Sequence, residues 1–251
     1  WALRASLGAG KLFNLGMSRG HFDTVFIDEA GHAVEPEAVA AFSALHPKHL
    51  VLAGDPKQLG PVVRSDLANR YGLGTSYLER LGERPLYQPV RDEVGNVSGA
   101  DTTGYKSKVI TKLIRNYRSH PDILYLPNKL FYAGHLLPNQ DKESEAYMRS
   151  YSLASWSELP APGFPLIFHG IEGKNEREAN SPSWVNIAEC TQVLDYVKLL
   201  TSDKQAQVSA CNIGIVTPYA KQVEKLTTLL RRNGIKVGGK ELMIGSAEKF
   251  Q

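Results

Sequence analysis

Thr24-Val25-Phe26-Ile27-Asp28-Glu29-Ala30-Gly31 is an apolar run that ends in two carboxylates and a glycine. Downstream, His49-Leu50-Val51-Leu52-Ala53 leads in the same manner into Gly54-Asp55-Pro56-Lys57-Gln58-Leu59-Gly60-Pro61. Short aliphatic runs bounded by Gly, Asp and Pro read as strands of a parallel sheet, and the amphipathic stretch between them reads as the crossover helix. That helix is expected over Glu37–Leu45, with Val39, Phe42 and Leu45 on one face. The fold class is therefore α/β, with polar groups delivered at the carboxyl ends of the strands, where open sheets place their ligands.

The pattern repeats along the chain. Strands are expected at Thr24–Asp28, His49–Gly54, Val109–Ile114, Pro165–His169, Ile213–Thr217 and Leu242–Gly245. Helices are expected from Pro121 to about Tyr132, over Ile187–Leu200 and over Tyr219–Arg232, with Asn186 and Glu189 forming a capping box for the second. Gly82–Ser107 is rich in Gly, Pro and charge and reads as a linker, while Asn139–Leu159 reads as a surface insertion. The boundaries follow: 1–85 for a first domain, 86–107 for the linker, 108–251 for a second.

Composition narrows the class. At 251 residues the chain can hold one large core or two modest ones, and 42% apolar with 22% charged residues is ordinary for a globular protein. A net charge of +3 is too small to argue for nucleic-acid binding, so such binding must rest on local arrangement. Cys190 and Cys211 are too few and too far apart for a disulfide framework or a zinc site. No run approaches the ~18 apolar residues of a membrane span, and nothing suggests a signal peptide; a cytosolic or nuclear protein is the expectation.

The strand-end residues suit nucleoside-triphosphate chemistry. Asp28 would hold Mg²⁺ through water, and Glu29 would orient or deprotonate the water attacking a γ-phosphate. Gln58 can donate to a phosphate oxygen and accept from that water, which suits a sensor, with Asp55 beside it in the nucleotide site. Arg118 suits an arginine finger, and Tyr117 offers a flat face to an adenine. Each has a plainer alternative. Asp-Glu after a strand is a polar turn, Gly54–Pro61 is rich in turn residues anyway, and Tyr117 would serve as a core aromatic. Thr217, Tyr219, Gln222 and Ser246 could meet the phosphates and sugars of a single strand, although Thr217-Pro218 is equally a helix entry.

Taken in order, these blocks resemble the superfamily-one helicases of the 5′→3′ branch. Asp28-Glu29-Ala30-Gly31 matches the second conserved motif, Gly54–Pro61 the third and Asn116–Pro121 the fourth. Gly214–Tyr219 with Gln222 is similar to the nucleic-acid-facing segment of the second lobe, and Ile244–Gln251 to the opening of the motif that couples RNA to ATP. Phe168-His169-Gly170, Glu176-Arg177-Glu178 and Asn180–Trp184 narrow the likeness to the Armitage, Moloney-leukaemia-virus-ten and plant silencing-defective RNA helicases. The resemblance implies tandem RecA-like P-loop NTPase domains, parallel sheets flanked by helices, with the N-terminal lobe incomplete. It implies ATP and Mg²⁺ as cofactors, single-stranded RNA and an Argonaute-type silencing protein as partners, and a cytoplasmic location.

Two parts of the family pattern are absent. Gly8-Ala9-Gly10-Lys11 is followed by Leu12, which supplies no hydroxyl for Mg²⁺, and Ala5 stands where a phosphate loop needs its first glycine. The chain also stops at Gln251, before the last motif. It is therefore read as the middle of a longer helicase that would not hydrolyse ATP efficiently alone. A DNA helicase or helicase–nuclease of the same superfamily, or a non-catalytic pseudo-helicase binding RNA or protein, are the rival readings.

Overall fold

The computed structural model describes residues 18–43, 45–90, 104–139, 141–144, 147–148, 151–177, 181–203 and 208–250. Two compact units divide the chain between Leu113 and Ile114. In the first, β1 (Thr24–Ile27) and β2 (His49–Leu52) pair in parallel, Thr24 opposite His49 and Ile27 opposite Leu52. The strand period puts Val25, Ile27, Leu50 and Leu52 on one half-buried face and Thr24, Phe26, His49 and Val51 on an exposed one.

The crossover α1 spans Glu35–Ser43, two residues ahead of its expected start. Pro36 falls in the first turn, where its missing N–H is harmless, and Glu35 and Glu37 sit at the positive end of the helix dipole. Two short helices follow, α2 (Asp66–Arg70) and α3 (Tyr77–Gly82). Ser65 and Ser76 cap them, each hydroxyl accepting a first-turn N–H. Arg80 of α3 forks onto Glu35 of α1, Nε to Oε2 at 2.5 Å and Nη2 to Oε1 at 2.6 Å. That hydrogen-bonded guanidinium holds the Glu35 carboxyl below the usual carboxylate range.

The expected linker begins with a 3₁₀ turn, Pro85–Tyr87, and most of it, residues 91–103, lies outside the described residues. Its flanks meet, Val90 N–H donating to Gly104 O at 2.9 Å. The strand expected over Val109–Ile114 does not form. Lys106 O instead accepts from both Val109 and Ile110 N–H at 3.0 Å, so a turn takes the donors a ladder would need.

In the second unit β3 (Arg115–Asn116) pairs in parallel with β4 (Leu137–Pro138), joined by α4 (Pro121–Phe131). Pro121 opens α4 as expected, and Asn128 clasps the returning chain, its amide bonding both N–H and C=O of Leu136 at 2.9 Å. β5 (Asn175–Arg177) and β6 (Trp184–Asn186) are antiparallel. α5 (Ile187–Ser202) and α6 (Ala220–Arg232) flank the parallel pair β7 (Gly214–Val216) and β8 (Met243–Gly245). Val185, Cys190, Leu194, Val197, Leu226, Leu230, Leu242 and Ile244 form the buried core between them. Burial pushes the Cys190 thiol up, as an inert core cysteine requires.

One further expectation needs correction here. The strand over Pro165–His169 is absent: Leu166 N–H turns back to Phe164 O at 2.8 Å, and Leu166 and Phe168 face solvent. Among the described residues the strands form three parallel pairs and one antiparallel pair. The architecture is mixed α/β with small parallel sheets.

Candidate functional site

The carboxyl edge of β1 and β2 is built by two turns pressed backbone to backbone. Ala53 N–H donates to Ile27 O at 2.9 Å and Ala30 N–H to Ala53 O at 2.8 Å, extending the pairing past the strand ends. A Cβ at Gly31 would lie 2.9 Å from Asp55 O, and one at Gly54 would lie 2.9 Å from Ala30 N and 3.0 Å from Gly31 N. Only glycine permits that approach, and Gly54 also takes φ +152. Sequence reading assigned Gly54 a turn and quoted Gly31 within its motif without giving it a role; the signal was a glycine shortly after each strand, four residues past Ile27 and two past Leu52.

This packing displays four of the expected residues together. Asp28 and Glu29 are exposed at the tip of the first turn, Asp28 Oδ1 accepting the Glu29 N–H at 3.0 Å. Glu29 itself has φ +51, a left-handed conformation uncommon outside glycine and concentrated at functional turns. On the second turn, Asp55 Oδ1 accepts Lys57 N–H at 2.9 Å while Asp55 Oδ2 accepts Gln58 Nε2–H at 3.1 Å. The set is hard-oxygen and solvent-accessible.

Among the described residues no three His, Cys, Asp or Glu side chains converge as a metal cage. A lone strand-end carboxylate fits Mg²⁺, which keeps most of its waters and takes one or two carboxylates plus phosphate oxygens. Asp28, exposed at the strand end, is a residue that could hold such an ion.

In the second unit, Asn116 Oδ1 accepts the N–H of Arg118 at 3.1 Å and of Ser119 at 2.9 Å, bending the chain after β3. Arg118 and Tyr117 project from this bend. Tyr117 is 53% exposed, which removes the core-aromatic alternative. Among the described residues the Arg118 guanidinium makes no hydrogen bond or ion pair, and its side chain is exposed. His120 is buried as the cap of α4, accepting Asp122 N–H at 3.3 Å with its ring 4.4 Å from that of Tyr151. It orders the backbone at the start of α4.

At the β7–β8 edge, Thr217 N–H donates to Gly245 O at 2.9 Å, which brings Thr217 beside Ser246. The Thr217 hydroxyl, nearly buried, accepts Tyr219 N–H at 3.4 Å, a capping contact, while Tyr219 is 44% exposed at the start of α6. Gln222 does not belong with them. It is 5% exposed, its Oε1 accepts Asn186 N–H at 2.8 Å and its Nε2 donates to Glu189 Oε2 at 3.0 Å. The amide is thus an internal clamp between α6 and the start of α5, not a surface group awaiting RNA. It also explains why the expected capping box is half formed: Asn186 Oδ1 accepts Glu189 N–H at 3.2 Å, but Gln222 takes the place of Glu189 at Asn186 N–H. The spacing Gln222, Leu226, Leu230 on one helix stripe carried that signal.

The motifs also match known proteins. RNA helicase Mov10l1 of Homo sapiens is 47% identical over 97% of this chain and 19% of its own length. Armi of Drosophila melanogaster, named a probable RNA helicase, is 36% identical over 96% of the chain and 20% of its own length. Regulator of nonsense transcripts 1 homolog of Arabidopsis thaliana is 30% identical over 95% of the chain and 17% of its own length. The chain thus spans about a fifth of these relatives, and the helicase resemblance of its motifs is met by relatives that carry those names. One AAA-domain profile matches residues 5–66 and another residues 100–251. As the latter covers more than half of its length, the chain belongs to the AAA-domain family.

Proposed function

We propose that the chain is part of an ATP-dependent RNA helicase that couples ATP hydrolysis to movement on RNA, working in RNA silencing with an Argonaute-type partner in the cytoplasm. Two RecA-like lobes, 1–85 and 108–251, would be joined through 86–107. The observation that carries the reading is the pair of glycine-stacked turns presenting Asp28, Glu29, Asp55 and Gln58 on one strand edge. The names of the relatives support RNA as the polymer.

In this reading Asp28 would hold Mg²⁺, which when bound would supply neutralising charge to the phosphates. Glu29, exposed and acceptor-only when ionised, orients and deprotonates the attacking water. Gln58 senses the terminal phosphate with its amide. Arg118, held by the Asn116 turn, stabilises the negative charge of the transferring phosphoryl group, and Tyr117 stacks on adenine. Tyr219 and Ser246 face the RNA backbone, with the Thr217 hydroxyl holding the backbone of Tyr219 in place.

The test is RNA-stimulated ATP hydrolysis by the full-length protein carrying Arg118→Ala or Glu29→Gln. Each variant should lose at least about a hundredfold in turnover with RNA affinity retained; undiminished turnover, or equal stimulation by DNA, would overturn the assignment.

A further inference from the structure

We infer that Asp55 is the positioning residue that sets which way the Gln58 amide faces. The inference rests on Gln58 acting at the terminal phosphate, as proposed above. An ionised carboxylate only accepts hydrogen bonds, so Asp55 can bond the NH₂ end of the amide and never its oxygen. The observed contact, Gln58 Nε2 to Asp55 Oδ2 at 3.1 Å, therefore excludes the flipped amide. One N–H is held by Asp55, and the second N–H and Oε1 remain for a phosphate oxygen and for the attacking water.

The carboxylate is itself fixed. Its other oxygen accepts Lys57 N–H at 2.9 Å, and Asp55 O accepts Gln58 N–H at 3.3 Å, so the loop is tied to Asp55 at three points. Asp55 is half-buried, whereas Gln58 is exposed, so its rotamer is held chiefly by its hydrogen bond to Asp55. The backbone of Asp55 also lies against Gly31, where a Cβ would sit 2.9 Å from Asp55 O. Asp55 thus transmits the position of the Asp28–Gly31 turn to the amide, so that the water-directing and phosphate-sensing groups share one reference point. Sequence reading placed Asp55 in the nucleotide site; the geometry gives it a role through its neighbour.

The experiment is a double-mutant cycle on the full-length protein, read as kcat and KM for ATP at saturating RNA. Asp55→Asn keeps the shape and the acceptor for Lys57 N–H but lets Gln58 flip, because an amide partner accepts and donates. Asp55→Ser keeps a hydroxyl cap for the turn and loses reach to Gln58; it decides the matter if the first variant does not fold. Gln58→Ala should lower kcat about a hundredfold, the scale of losing a charge-stabilising donor. Each Asp55 variant should lower kcat about tenfold, as the competent rotamer becomes a minority, with KM little changed. Neither should lower it further in the Gln58→Ala background. Multiplying losses, or a raised KM at unchanged kcat, would show that Asp55 only braces the loop and would overturn the inference. Normal turnover in the Asp55 variants beside a crippled Gln58→Ala would overturn it while leaving the functional reading intact. A normal Gln58→Ala would remove both.

Discussion

Two strand edges in this chain use the same backbone device for opposite ends. At the β1–β2 edge, glycines let two turns touch and leave Asp28, Glu29 and Gln58 exposed, with Asp55 half-buried behind them. At the β7–β8 edge the polar groups turn inward, Thr217 against the start of α6 and Gln222 into the α5–α6 interface above a leucine-lined core. The first edge is defined by backbone contact and leaves Asp28 and Glu29 open to solvent. The second is defined by side-chain burial. Polar residues at a strand end therefore identify a site only when the turn beneath them is held by something else.

That contrast can be broken at four places. The largest effect is expected from Leu230→Ala, which empties a fully buried position and should cost about 2–5 kcal/mol of stability in urea unfolding. Gly54→Ala comes next. Its Cβ would meet Ala30 N and Gly31 N, and the strained backbone should cost about 1–3 kcal/mol, with ATP turnover falling more than stability. Gln222→Ala leaves Asn186 N–H and Glu189 without their partner and should cost about 1–3 kcal/mol, lowering the melting temperature while leaving salt-dependent RNA affinity unchanged. A lost RNA contact without lost stability would return Gln222 to the surface role.

The smallest effect concerns Glu35. Arg80 lowers its folded pKa, so the stabilisation is present above the unfolded value of about 4.3 and is lost as pH falls through the lower folded value. Glu35→Gln should flatten that acid limb of the stability–pH curve and change little at neutral pH, because the pair is partly exposed.

Much of this was legible because hydrophobic period and turn chemistry agreed. β1, β2, β7 and β8 lie within their expected ranges, each ending one or two residues sooner or at the expected residue. Pro121 and Asn186 marked helix starts because caps and first-turn prolines are local. What failed was of two kinds, local turns and long-range pairings. Val109–Ile114 has the composition of a strand, but its first N–H groups are claimed by Lys106. Gln222 looked like a surface amide because its partners, Asn186 and Glu189, come from a distant helix start. The Glu35–Arg80 fork joins residues far apart in the chain, with no local sign of their meeting.

The proposed mechanism places hydrolysis at the exposed β1–β2 edge. Single-turnover ATP hydrolysis by full-length Glu29→Gln protein at saturating RNA measures that most directly. The rate should fall at least about a hundredfold with melting temperature and RNA affinity unchanged. Hydrolysis at the parent rate would contradict it.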